Sequence, residues 1–415
     1  NMDDDGDYFT WTLAETRAVL TEEEAQVAAL HYDINEVGEM HHNPAKNVLH
    51  VRASVEEIAQ RLSLPLERVK ELLASAKKKM YAARLERPTP YVDKTVYVSW
   101  NGLCVSAYLE AAKVLHLDEA RRFALRSLDR VLAHAWKPEG KNQTVGAPLL
   151  AGVARSGNPG TASDSSTLLH VVAYSDPKAE HREVPGMLED YAFTALACLD
   201  AYEATADLSY FKFARAIADT MIARFFDATS GGFFDSEPAT DGKSLGVLAA
   251  RRKPLQDSPT PAGNPMAAIA LARLHHYTGD AAYHDKAETT LETFAGVAEQ
   301  FGIFAATYGT AVVHLLESPV QIVVIAGEDS GNLADELYAT AVAPFAFPKT
   351  TLRLAANQAD AQNLPPALAA TIPNLPQLQS GKSFAVLCSG SSCQPPIFSA
   401  AELRSALEKA LRIPR

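Results

Sequence analysis

Residues Val184–Tyr202, V-P-G-M-L-E-D-Y-A-F-T-A-L-A-C-L-D-A-Y, decide the fold. A Pro-Gly break stops the chain, and Glu189, Asp190 and Tyr191 then arrive together where a helix begins. Behind them Ala192, Ala195, Leu196, Leu199 and Tyr202 keep an apolar stripe at helical spacing. Two acids in a first helical turn are favoured by the partial positive charge of the unpaired N–H groups there.

The same unit recurs on either side. Trp100, Leu103, Cys104, Ala107, Tyr108, Ala111 and Leu115 mark one helix, and Phe123, Leu128, Leu132 and Trp136 mark the next. Further pairs fall at 189–203 with 211–226 and at 264–277 with 284–299. The last two pairs agree in residue type as well as pattern: Tyr202-x-x-Thr205-x-Asp207-x-x-Tyr210 against His275-x-x-Thr278-x-Asp280-x-x-Tyr283. A hairpin of this kind cannot bury its apolar face alone, so the repeat predicts a packed array. Links within a hairpin are a few residues; those between hairpins, 137–187 and 227–263, are long. In an antiparallel array the two kinds of link lie at opposite ends. The long ones therefore gather where the first helix of each pair begins, and long loops in compact domains are commonly functional. Hairpins about a common axis make a mainly α fold, an (α/α) toroid.

Upstream, an aromatic entry, Tyr8-Phe9-Thr10-Trp11, leads into short helices. Thr12 with Glu15, Thr21 with Glu24 and Ser54 with Glu57 match the capping box. An amphipathic stretch at 66–85 ends before Pro88 and Pro90. After Leu316 the pattern changes to strands at 320–325, 350–354 and 384–388, with helices at 332–342 and 400–411. The expected division is a helical toroid over 1–317 and a small α/β subdomain over 318–415.

Composition limits the function classes. A net charge of −12 over 415 residues argues against a nucleic-acid partner, which requires a basic face. No apolar run approaches the roughly 20 residues needed to cross a bilayer. The four cysteines form no disulfide framework: Cys104 and Cys198 fall on apolar helix faces, where buried thiols are expected, and Cys388-x4-Cys393 lacks a second ligand pair for zinc. No metal or cofactor is expected, and a reducing, cytoplasmic setting fits. The acids in Gly327-Glu328-Asp329-Ser330-Gly331 argue against a phosphate loop.

Three loop-to-helix junctions carry the candidate chemistry: Asp93-Lys94 through Ser99-Trp100-Asn101-Gly102, then Glu189-Asp190-Tyr191, then Asp257 through Asn264-Pro265. Each has a structural reading. Ser99 and Asn264 can serve as N-caps, and Glu189 and Asp190 can complement a helix dipole. Together they supply acids, amides, an indole and a phenol to one rim, which suits a carbohydrate ligand. Glu189, Asp190 and Asp257 are the acid–base candidates. Trp100 and Tyr191 would stack on a sugar ring, and Asn101, Asn264 and Lys94 would bind hydroxyls. Epimerase or isomerase chemistry would need a histidine base, for which His170 and His181 are the nearby candidates.

The chain resembles the YyaL-like family that includes spermatogenesis-associated protein 20. The likeness rests on Tyr8–Thr12, Lys46-Asn47-Val48-Leu49, Arg87-Pro88 through Asp93-Lys94, Ser99–Gly102, Leu188–Ala192, Gly231–Asp235, Thr260-Pro261-x-Gly263-Asn264 and the ending Cys388-x4-Cys393-x-Pro395-Pro396. Departures are Val92-Asp93-Lys94, where the family has two acids before the lysine, and Ala45 in place of glycine. The resemblance implies a thioredoxin-like domain followed by a six-hairpin toroid of the kind found in glycosidases and N-acylglucosamine 2-epimerases. By this resemblance the sequence is expected to lack the thioredoxin-like part and to begin within the toroid. The resemblance therefore also allows a non-catalytic scaffold or ligand-binding module that partners a thioredoxin-like domain.

Overall fold

Three capping boxes open the first three helices, each with the serine or threonine oxygen on the third helical N–H and the glutamate returned to the cap N–H. They are α1 (Leu13–Val19), α2 (Glu22–Tyr32) and α3 (Val55–Leu62), followed by α4 (Leu66–Leu85). The computed structural model describes residues 6–137, 166–173, 183–238, 250–328, 331–390 and 392–411. Asn1–Lys94 forms one compact unit and Thr95–Arg415 another. In the first unit, Ala28, Ala76 and Met80 share a core with Trp11, and Val27, Val69 and Leu72 share one with Ile58.

The second unit contains the repeat. Its hairpins are α5 (Val98–Leu115) with α6 (Asp118–Ala135), α7 (Leu188–Thr205) with α8 (Leu208–Phe225), and α9 (Gly263–Thr278) with α10 (Ala281–Ala295); α11 (Ala306–Leu316) follows. The first helices form an inner row in which α5 packs on α7, α7 on α9 and α9 on α11. This is the mainly helical α/α architecture that the repeat predicts. The repeated motif is its mortar. Thr205 and Thr278 bond back to carbonyls one turn earlier, and Asp207 and Asp280 cap the next helix. Tyr210 then donates to Asp129 on the preceding outer helix at 2.8 Å, as Tyr283 does to Asp219. The backbone turns left-handed at His116 (φ 56°), Ala206 (φ 57°) and Gly279 (φ 72°), so only the third turn has the residue that tolerates this freely.

Short strands fold the long loop back onto the start of the row. β1 (Thr95–Tyr97) pairs with β4 (Val171–Ala173), and β2 (Trp136–Lys137) pairs with β3 (Thr167–Leu168), both antiparallel. The C-terminal part comprises β5 (Val320–Ala326), α12 (Leu333–Val342), β6 (Lys349–Ala355), α13 (Pro366–Ala369), β7 (Phe384–Ser389), β8 (Ser392–Cys393) and α14 (Ala400–Ala410). Its sheet runs β6-β5-β7-β8, with β5 and β6 parallel. Alternation decides what each face meets. Val323 and Ile325 join the hairpin core, while Val320, Ile322 and Val324 meet Leu337 of α12 and Leu403 of α14. The change of pattern at 317/318 is thus a change of secondary structure inside one compact unit, because the sheet is buried on both faces.

Two cysteine expectations need correction. Cys104 is exposed, whereas Cys198 is buried as expected. Cys388 and Cys393 are joined by a disulfide. The physical reason is register: the two residues sit directly opposite one another on β7 and β8. Among the described residues no helix is long and apolar enough to cross a membrane.

Candidate functional site

The inner helices begin at one end and are tied together there by carboxylates. Asp190, fully buried in the first turn of α7, accepts the Ser99 N–H of α5 on Oδ1 at 2.9 Å. Its Oδ2 accepts the Met187 N–H at 2.8 Å, closing the start of its own helix. Asp257 does the same one junction on, with Oδ1 on the Ala262 N–H at 2.8 Å and Oδ2 on the Thr307 N–H at 2.9 Å, linking α9 to α11. Between these ties α7 and α9 touch closely. A Cβ on Gly263 would lie 2.9 Å from Leu188 Cδ2, so glycine permits this approach.

Asp190 also holds a histidine. His170 Nδ1 lies 2.8 Å from Asp190 Oδ2, and because a carboxylate only accepts, Nδ1 carries the proton. No other described residue bonds to Nε2. The hydrogen bond to Asp190 raises the His170 pKa above the ordinary 6.5, against an opposing effect of burial. His170 is fixed from the backbone side too, since its carbonyl accepts the Val98 N–H and its N–H donates to Val184. Beside it, Glu189 is half-buried, and burial, then the Asp190 charge, push its carboxyl up from 4.5. Tyr97 lies between His170 and Trp100, its ring centroid 4.7 Å from a tilted Trp100 and 5.7 Å from an edge-on His170. Trp100 is 56% exposed.

The sequence-level candidates therefore separate. Trp100, Glu189 and Asp190 come together with His170 and Tyr97. Tyr191 is buried, its ring against Phe225 and its hydroxyl accepting the Leu168 N–H at 2.8 Å, so it belongs to the core. Asn101 donates to the Tyr97 carbonyl at 2.8 Å and thereby orients that ring's strand. Neither Ser99 nor Asn264 is an N-cap: α5 starts at Val98 and α9 at Gly263. Asn264 instead grips Phe233, accepting its N–H at 2.6 Å and donating to its carbonyl at 2.9 Å. Replacing Asn264 with alanine is expected to cost about 1–3 kcal/mol in urea denaturation, because both buried groups of Phe233 lose their partner. Lys94 is the last residue of the first unit. His181 lies outside the described residues. Among those described, no group of three or more His, Cys, Asp or Glu could hold a metal ion.

Helical hairpins, with an acid–histidine cluster where the inner row begins, define the class: an α/α-hairpin protein with a candidate acid–base site. Within that class the chain is a relative of spermatogenesis-associated protein 20. The human protein of that name is 31% identical over 308 residues, which span 70% of this chain and 36% of the human protein. An uncharacterized protein of Caenorhabditis elegans is 21% identical across 98% of this chain and 52% of its own length. The chain thus spans about a third to a half of the curated relatives it matches. No protein-family model matches it. Among solved structures it is similar to a GH76 α-mannanase of Bacteroides thetaiotaomicron, with 14% identity and a TM-score of 0.37 over 61% of this chain and 58% of that one.

Proposed function

We propose that the protein acts on a carbohydrate by acid–base chemistry at the end where α5 and α7 begin. The observation that carries this reading is the His170 imidazole, oriented by Asp190 beside the free carboxylate of Glu189 and the exposed face of Trp100. Both pKa values are raised, that of Glu189 by burial and the Asp190 charge and that of His170 by its hydrogen bond to Asp190, which favours a protonated imidazole. That combination provides a donor for a sugar oxygen and a carboxylate to take a proton from water or from a ring carbon. Trp100, backed by Tyr97, offers an apolar face to a pyranose ring, and Asp190 acts through His170. The roles first assigned to Asp257, Asn264 and Tyr191 pass to positioning, since their polar atoms bond to backbone groups.

The test is a calorimetric and thermal-shift screen of the chain against mono- and disaccharides, followed by rates on any ligand found. His170→Asn or Glu189→Gln is expected to lower turnover by about 10²–10⁴-fold with the fold intact. Activity should fall at high pH with a midpoint above 6.5, the ordinary histidine value, and Asp190→Asn should move that midpoint down. Wild-type turnover in both His170→Asn and Glu189→Gln removes the reading.

A second reading, a scaffold or ligand-binding module that partners a thioredoxin-like domain, is favoured by one observation. All four carboxylate oxygens of Asp190 and Asp257 accept backbone N–H groups, as structural ties do. Under it the same screen finds no turnover, and the variants at His170 and Glu189 leave every ligand response unchanged.

A further inference from the structure

The Cys388–Cys393 disulfide adds little to holding the fold. It closes a loop with a sequence separation of only 5, and short loops gain least from cross-linking. The hairpin it bridges is held independently by backbone bonds further along: the Gln394 N–H on Leu387, and Ala385 and Ile397 exchanging both of theirs at 2.8 Å. Ile397 is itself buried at 3% exposure, so it anchors the outer segment without any help from sulfur. The two sulfur-bearing residues are also unequal. Cys388 is 7% exposed on a strand packed into the main core, whereas Cys393 is exposed on β8 at the edge of the sheet. Exposed disulfides on otherwise stable frames are the labile ones, because exchange needs access to one sulfur and a departing thiolate at the other.

We propose that Cys388–Cys393 is a thiol–disulfide exchange site, opened by a dithiol reductant that attacks Cys393 Sγ. The attacking thiolate forms a mixed disulfide with Cys393 as the Cys393–Cys388 bond breaks, and Cys388 leaves as a thiolate that takes a proton from water. The second thiol of the reductant then attacks its own sulfur in the mixed disulfide and frees Cys393. Two electrons pass from the dithiol to the pair, and the dithiol leaves as a disulfide. The proposal is independent of the sugar-site reading, which involves residues of the helical row.

The experiment uses the full chain with Cys104→Ser, which removes the exposed free thiol. The folded protein is treated with reduced dithiothreitol, alkylated and weighed, with circular dichroism and Tm recorded on the same samples. Two new thiols with an unchanged spectrum and Tm are expected. Thiols that appear only after denaturant is added overturn the proposal. The point of attack is read from variants of that protein that keep one cysteine of the pair, with Cys198 buried in both, treated with oxidised glutathione. Cys388→Ser, which leaves Cys393, is expected to form its adduct at least ten-fold faster than Cys393→Ser; equal rates, or the reverse order, overturn the assignment of Cys393 as the attacked sulfur.

Discussion

Asp190→Ala is expected to lower the free energy of unfolding by about 3–5 kcal/mol, the cost of breaking a buried charged network from one side. The side chain is fully buried and meets three donors, the Ser99 and Met187 N–H groups and His170 Nδ1. Alanine leaves two backbone donors at adjacent helix starts without an acceptor, and lets go of the imidazole. Asp190→Asn should fall between, since its carbonyl oxygen can serve one donor while its amide confronts another. The loss also has a pH signature. The folded state raises the His170 pKa, so the pairing contributes fully below the ordinary value of 6.5 and fades as pH rises through the raised one. The gap between wild type and Asp190→Ala should therefore be widest on the acid side of neutrality and shrink above it. Urea denaturation across that range reads both quantities. A loss below about 1 kcal/mol, or a gap that widens with pH, contradicts the account of Asp190 as the tie between α5 and α7.

What the sequence discloses depends on how far apart the interacting residues lie. The capping boxes are four-residue signals, and Thr12, Thr21 and Ser54 can be read from the letters alone. The hairpins are periodic over tens of residues and survive equally well. The site is different. His170 lies in a long loop without periodicity, and its partner Asp190 is on the far side of a segment with no regular spacing, so nothing local announces the pair. Asp257 reaches Ala262 within its own loop, but its second oxygen finds Thr307 beyond a whole hairpin. Tyr191 misleads for a related reason. An apolar stripe suggests a helix with one buried face, yet α7 is enclosed by α5, α8, α9 and β6, so in its first turn Leu188, Asp190 and Tyr191 are all buried and only Glu189 is partly open. Polar residue types at a helix start signal a junction; only the packing says whether they face a ligand or one another.

The opposite end of the same row carries the second large effect. Arg273 on α9 pairs with Asp200 at 2.7 Å and Glu203 at 2.8 Å, both on α7, and Tyr277 donates to Glu203 at 3.0 Å. The Arg273 and Glu203 side chains are each only 12% exposed, so these charges tolerate their surroundings because they neutralise one another. Burial already pushes the Glu203 carboxyl up from 4.5, and Arg273 is the first influence opposing it. Arg273→Ala removes that opposition and strands two carboxylates between helices, an expected cost of about 3–5 kcal/mol at neutral pH. Its pH dependence runs in a definite direction. A carboxyl whose folded-state pKa is raised holds more protons folded than unfolded, so stability grows as pH falls toward the unfolded value. The variant should recover part of its deficit between about pH 7 and pH 5, as Glu203 takes up a proton and no longer needs the guanidinium. Lysine at 273 keeps the charge but not the fork that serves both carboxylates, so it should recover less than half of the loss. Denaturation midpoints of the three proteins across that range decide the matter: a deficit that deepens on acidification would mean that Asp200 and Glu203 find other partners once Arg273 is gone, and that the helical row is not held by this ion cluster.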